Sequence, residues 1–210
     1  MEKLIIVGAG GHAKTVIDTI ERQGVYEICG IVAPEDIGTE IYRGYRVSAH
    51  DDDLPKLFAR GISAAVVGIG FLGRSALREN IYKQLKELGY ELPVIIDDTA
   101  VVAQSAVTGE GTYVGRGAIV NADAVIGKMC IINSGAIVEH ECSIGDFSHV
   151  AVGAVVCGQT KVGSRTLIGA NATIIQCVTI GNDAIVGAGS VVVKAVPAGE
   201  QVVGVAAKRS

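Results

Sequence analysis

Four histidines punctuate the chain, His12, His50, His140 and His149, and one of them stands between two carboxylates in the run Glu139-His140-Glu141. Imidazole titrates near neutrality, so His140 suits the removal of a proton from an amine or hydroxyl that attacks an acyl group. A carboxylate beside it would fix the tautomer and stabilise the imidazolium, and both Glu139 and Glu141 qualify. The plain alternative is a polar surface residue with no chemistry. A second candidate is the loop Gly8-Ala9-Gly10-Gly11-His12-Ala13, which satisfies G-x-G-x-x-[GA] after an apolar strand and before a helix. Backbone N–H groups at such a helix N-terminus suit a phosphate, and an unliganded tight turn is the plain alternative. A dinucleotide fits poorly, because Ala33 and Pro34 stand where an acidic residue should close the second strand, and Glu35 and Asp36 come late. A nucleotide or nucleotide-sugar fits the space better. His50, before Asp51-Asp52-Asp53, reads as a solvated helix start.

The elements that must position these groups follow from a period of six. From Val102 to Val192 every sixth residue is Val or Ile, with Thr108 the single lapse. Four places further on the residue is small, as at Ala118, Cys130, Ala136, Cys142 and Ala154. Gly or Asn often follows the aliphatic residue directly, as at Gly109, Gly115, Asn121, Gly127, Asn133 and Gly145. Six matches neither a helix nor simple alternation. It matches short strands and tight corners wound into a parallel β-helix, where each repeat buries its apolar residue by stacking on its neighbours. The Gly and Asn positions are read as corners that need positive φ.

Three hexads make a triangular circuit of 18 residues. The interior is filled by side chains, so any site lies outside the prism, at a corner or between prisms. His140 falls two places after the inward Val138, near a corner. Gly158 falls one circuit after His140 and should stack on it, leaving room for a thioester and turning a backbone N–H toward a developing oxyanion. His149 is half a circuit from His140 and should lie on the other side of the prism. The two share a site only if they come from different chains, which favours a trimeric interface.

Before the coil, the pattern is α/β. Strands are expected at Lys3–Val7, Glu27–Val32, Ala64–Ile69 and Leu92–Ile96, with helices at Ala13–Gln23 and Ser75–Leu88. Their alternation implies a parallel sheet. Residues 1–100 hold 11 Lys/Arg and 15 Asp/Glu, against 7 and 7 in the rest, so a boundary falls between Pro93 and Ala103. The domains are read as 1–97, an α/β nucleotide-sugar-binding unit, and 98–210, the β-helix with its tail.

Composition excludes several classes. The net charge is −4 with no basic cluster, which argues against nucleic acid. The longest apolar stretch, around Ile62 to Leu72, is too short to span a membrane, and no signal peptide is read at the start. Five cysteines without CxxC spacing read as packed thiols of a reducing, cytoplasmic compartment. A zinc carbonic anhydrase on this coil would need three histidines, and the coil has His140 and His149 alone; no metal is expected.

Gly8 to Lys14, Glu139-His140-Glu141-Cys142, Ile144-Gly145-Asp146-Phe147-Ser148-His149 and the ending Val203 to Arg209 resemble the sialic-acid O-acetyltransferase-like family. The resemblance implies a left-handed β-helix trimer that uses acetyl-CoA to N-acetylate a nucleotide-linked 4-amino-4,6-dideoxy sugar. It implies His140 as the base and Glu141 as the residue that tunes it. It further implies Asn133 in the acceptor site, His149, Gly158, Ala170 and Ala188 at acetyl-CoA, and Gly10, Gly11, His12 and Gly70 around the nucleotide-sugar. No acyl-enzyme is implied, so Cys142 is not a nucleophile. The chain departs from the family pattern at Ala33-Pro34, Gly70-Phe71 and Ala206. The alternatives are an O-acetyltransferase acting on sialic acid or a related sugar, and a non-catalytic nucleotide-sugar-binding protein.

Overall fold

The computed structural model describes residues 1–73 and 76–204. They form two compact units, one of residues 1–70 and 76–98, the other of residues 71–73 and 99–204. The closing motif from 205 onward lies outside the described residues.

In the first unit, β1 (Glu2–Val7) carries an unbroken apolar run, and Leu4, Ile5, Ile6 and Val7 are all buried. Neighbouring strand residues face opposite sides, so such a run needs cover on both faces. α1 (Gly11–Gln23) buries Val16, Ile17 and Ile20 and stops at Gly24, where φ is 64°. β2 (Tyr26–Val32) pairs parallel to β1. Then come β3 (Glu40–Tyr42), β4 (Tyr45–Ala49), α2 (Leu54–Ala59) and β5 (Ala64–Val67). α3 (Leu77–Glu87) and β6 (Ile95–Ile96) complete the unit. The strand order is β3-β4-β2-β1-β5, parallel except for the β3–β4 hairpin. The sheet therefore reverses its winding at β1, and the glycine loop leaves from that switch point.

The sequence reading missed the hairpin, and of α2 it marked only the start, at His50. β3 buries nothing fully and β4 buries only Val47 and Ala49, so the apolar signal is thin. Its turn uses Arg43 (φ 47°) and Gly44 (φ 88°), where Asn-Gly would have announced it. The expected helix began at Ser75, outside the described residues, and the last strand is shorter than Leu92–Ile96. His50 is not simply solvated: its ring Nδ1 lies 2.7 Å from the Ala33 carbonyl oxygen.

The second unit is the coil. Its two-residue strands pair in parallel with partners 18 residues away, as in Val120 with Val138 and Val138 with Val156. Three faces result. The first holds strands at 101, 119, 137, 155, 173 and 191, the second at 107, 125, 143, 161 and 179, and the third at 113, 131, 149, 167, 185 and 201. Every sixth aliphatic residue from Val114 to Val192 is buried, as expected.

One expectation needs correction. The glycines after the aliphatic residue are not the positive-φ corners. Positive φ falls two residues later, at Asp123, Met129, Glu141, Phe147, Gln159, Arg165, Asn171, Cys177 and Asp183 among others. Gly127, Gly145 and Gly163 are required for a different reason. A Cβ on Gly127 would lie 2.7 Å from the Asp146 backbone nitrogen, and on Gly145 2.5 Å from that of Ser164. The backbone of the next circuit passes where a side chain would be.

The small inward site has a second purpose. Thr112, Ser148, Thr160 and Thr166 are buried, and each hydroxyl donates to the carbonyl fifteen residues on, at 2.8 to 3.1 Å. Cys130 and Cys142 do the same with their thiols, toward Gly145 and Cys157, at 3.2 and 3.1 Å. These cysteines are hydrogen-bond donors as well as packing groups.

Ile168 is fully buried, so Ile168→Asp should yield insoluble or non-cooperative protein, because the charge has no partner inside the prism. By the six-residue register Arg165 is an outward site, where Asp should be tolerated. Instead its guanidinium makes paired 2.7 Å bonds to Asp183, so Arg165→Asp would oppose two carboxylates, and Lys161, exposed on the second face, is the proper control. Gly145→Ala should lower stability by about 1–3 kcal/mol through overpacking. Gly117→Ala should lose about 1 kcal/mol, because φ there is 64° but the space is open. Thermal unfolding ranks the four variants.

Candidate active site

His140 stands on the corner between the first and second faces, with its side chain 56% exposed. Its ring Nδ1–H donates to Glu141 Oε2 at 3.1 Å. A carboxylate can only accept, so this bond assigns the proton to Nδ1 and leaves Nε2 as the basic nitrogen. Of the two flanking glutamates, Glu141 is the one that meets the ring. Glu139 is occupied elsewhere, accepting from Asn121 Nδ2 at 2.9 Å and from the His140 backbone N–H at 3.3 Å. Glu141 sits at φ 57°, a left-handed corner that turns its carboxylate back onto the preceding ring. Its carboxyl is held below the usual carboxylate range, first by a hydrogen bond from Gln159 and then by the His140 ring.

Gly158 stacks on His140, as the 18-residue circuit requires. A Cβ there would lie 2.6 Å from His140 Nε2, so the missing side chain keeps the basic nitrogen clear. Cys142 is buried, and burial pushes its thiol pKa up. It therefore stays protonated, two residues from His140.

His149 and Asn133 form a separate group on the third face and its exit corner. His149 is buried. Its Nδ1 lies 2.7 Å from the Phe71 carbonyl oxygen and its Nε2 3.0 Å from Asn133 Nδ2. Asn133 Oδ1 accepts from the Ser134 N–H at 2.8 Å, which fixes the amide with its nitrogen toward His149. The ring is thus a neutral Nδ1–H tautomer. Residues 71–73 lie across this face, since a Cβ on Gly73 would lie 2.9 Å from the Ile185 side chain. Ala170 and Ala188 line the corner from the third face to the first. A separate cleft is lined by Val191, Val193, Lys194, Ala195 and Val203.

In the α/β unit, Gly10 and Gly11 open α1 with no side-chain cap. Gly8 needs positive φ (111°), but Gly10 and Gly11 do not, and a Cβ on either would meet nothing within 4 Å. No neighbour in the chain demands glycine at these two places; an approaching ligand would. Gly70 faces His12, whose Cβ would lie 3.9 Å from a Cβ on Gly70. These four residues gather at the ends of β1 and β5.

The structure thus brings His140, Glu141 and Gly158 together on one corner, and His149 with Asn133 on another face. Gln159 and Phe71 were missed. Adding one circuit to Glu141 would have found Gln159; nothing in the sequence signals that Phe71 reaches His149.

A parallel triangular coil with an exposed His–Glu pair on its corner is the architecture of hexapeptide-repeat acyltransferases. Residues 3–85 match the PglD N-terminal domain family, and residues 159–194 the bacterial transferase hexapeptide family. A GDP-perosamine N-acetyltransferase from Caulobacter crescentus, solved as a histidine-to-alanine variant with CoA and GDP-perosamine, is 37% identical over 99% of this chain and 96% of its own, with a TM-score of 0.91. The acetyltransferase domain of PglB from Neisseria gonorrhoeae is 32% identical over 97% of both chains, with a TM-score of 0.88, and a complex of that domain with acetyl coenzyme A is also known. WeeI from Acinetobacter baumannii is 27% identical over 97% of both, with a TM-score of 0.83. No curated protein matches by sequence. The chain belongs to the sialic-acid O-acetyltransferase-like family, an α/β domain followed by a left-handed β-helix.

Gly158→Ala should fold and yet displace the His140 ring. Turnover should fall on the order of 10- to 100-fold, the scale of a small misplacement of a reacting group. Steady-state kinetics beside a thermal melt separates this from a loss of stability.

Proposed function

We propose that the protein is an acetyl-CoA-dependent N-acetyltransferase acting on the 4-amino group of a nucleotide-linked 4-amino-4,6-dideoxy sugar. The observation that carries the reading is the exposed His140, its Nδ1 proton held by Glu141 and its Nε2 kept clear by Gly158. The family relationship points the same way, through a relative solved with CoA and GDP-perosamine.

Acetyl-CoA supplies an acyl group already activated as a thioester. His140 Nε2 takes the proton from the sugar amine as it attacks the thioester carbonyl, Glu141 stabilises the imidazolium that forms, and as the C–S bond breaks the imidazolium returns the proton to the departing CoA sulfur. Gly158 leaves room for the thioester and turns its N–H toward the oxyanion. The residues present fit the cosubstrate: Ala170 and Ala188 put only methyl groups on their corner, which leaves their backbone amides open to the amides of the CoA arm. Gly10, Gly11 and His12, with Gly70, hold the nucleotide end in the 1–97 domain, and Asn133 with His149 lies toward the acceptor and thioester in the 98–210 domain.

The working unit in this reading is a homotrimer. The first face carries half-exposed Ile119, Ile137 and Val155 in an unbroken stripe, whereas the second has exposed Val107 and Val125 only in its first circuits and Ser143, Lys161 and Thr179 beyond them. The apolar first face is flanked by the His140 corner on one edge and the Ala170–Ala188 corner on the other. Three copies turning this face toward a threefold axis bring the first edge of one chain to the second edge of the next. The site is then completed between chains. Among the described residues no helix is long and apolar enough to cross a membrane, and we place the protein in the cytoplasm with reduced thiols.

His140→Ala should lower kcat by roughly 10²-fold or more, the loss of a general base, with the fold intact. Glu141→Ala should be milder. Release of free CoA with UDP-, GDP- and dTDP-linked 4-amino sugars is the assay, and near-normal turnover by the alanine variant would overturn the mechanism. Mixing inactive His140→Ala chains with inactive Ala170→Trp chains should restore part of the activity. No recovery despite verified subunit exchange would place both corners' contributions in one chain.

A further inference from the structure

Glu141, Gln159 and Cys177 occupy one column of the coil, each a circuit above the last. All three have left-handed backbone, with φ of 57°, 60° and 61°. Identical backbone at an 18-residue step sends the three side chains off in parallel, one over the next. Gln159 Nε2 donates to Glu141 Oε2 at 3.0 Å, and that same oxygen accepts from the His140 ring. At the other end of the amide, the Cys177 thiol donates to Gln159 Oε1 at 3.3 Å. The carboxylate can only accept, so the nitrogen of Gln159 must face it, and the thiol hydrogen completes the assignment.

We propose that Gln159 is a positioning residue for the reaction, fixing the Glu141 carboxylate on His140 Nδ1, with Cys177 holding the amide from above. The inference rests on His140 being the base. The geometry explains why a second partner is needed. The His140 and Glu141 side chains are both more than half exposed, and a single exposed contact of this kind holds its geometry weakly. Gln159 gives the carboxylate a second fixed donor, so the oxygen that receives the ring proton does not wander. The Gln159 hydrogen bond is also the largest of the causes that hold the Glu141 carboxyl below the usual carboxylate range. Cys177, exposed and a circuit further from the base, acts only through the amide.

Gln159→Met keeps the length and removes both polar ends, and Gln159→Glu keeps the shape but sets a second carboxylate against the first. Either variant should lower kcat by about 5-fold, the scale of one net hydrogen bond, with KM for both substrates within about twofold. In ¹⁵N-histidine spectra, the His140 ring, identified by its loss in His140→Ala, should move from the Nδ1–H tautomer toward a mixture. In a Glu141→Ala background, Gln159→Met should have no additional effect. Cys177→Ala should show the same changes more weakly, and Cys177→Ser should restore them. An unchanged His140 tautomer in both Gln159 variants, or an undiminished effect of Gln159→Met without Glu141, would overturn the proposal. The tautomer is read without turnover. An active His140→Ala protein would therefore remove the general-base reading without altering that result.

Discussion

The backbone ladder of the coil joins residues 18 apart on all three faces, and almost everything else in the second unit follows from that step. Because the strands are only two residues long, no strand has stability of its own. Each holds through the circuit above and below it, and the aliphatic residue at every sixth place fills the prism they enclose. The same step copies side chains into columns. Asn121 meets Glu139, Asp183 meets Arg165, and Gln159 meets Glu141, each pair separated by one circuit. The chemistry at His140 is built from this repetition, with Gly158 as the residue one circuit on.

The faces differ in what they leave outside. The third is covered in part by residues 71–73, the second mixes Ser143, Lys161 and Thr179 with exposed Val107 and Val125, and the first presents a stripe of Ile and Val. A prism filled by its own side chains offers no internal pocket, so the proposed chemistry sits at edges. The two edges that carry the proposed catalytic and cofactor groups border the same apolar face. Burying that face against copies of itself is therefore also the act that would assemble the site. In this reading oligomerisation and activity have one physical cause, the removal of Ile119, Ile137 and Val155 from water.

Much of this was legible in the sequence, because a strict period in an aliphatic residue admits few folds. The inward register, the 18-residue circuit and the stacking of Gly158 on His140 all follow from spacing. What spacing could not distinguish was why a glycine stands where it does. Gly145 and Arg165 both sit at corners, yet the glycine answers to the backbone of the next circuit, while the arginine adopts positive φ. Steric exclusion between chain segments far apart in sequence leaves no local signature. The bond from His149 to the Phe71 carbonyl was hidden for the same reason, being a contact across 78 residues. The β3–β4 hairpin was missed because its strands bury too little to print a pattern.

The nucleotide loop shows the opposite case. Its motif was weak in the sequence, and the structure separates Gly8, whose φ of 111° needs glycine, from Gly10 and Gly11, where a Cβ would meet nothing within 4 Å. The central claim is that the site lies between the His140 corner of one chain and the Ala170–Ala188 corner of the next. A crystal structure of the protein with bound CoA tests it most directly. We expect a trimer in which CoA lies along the Ala170–Ala188 edge of one chain and brings its thiol to His140 of its neighbour. CoA bound wholly within one chain, or with its thiol turned away from His140, would contradict it.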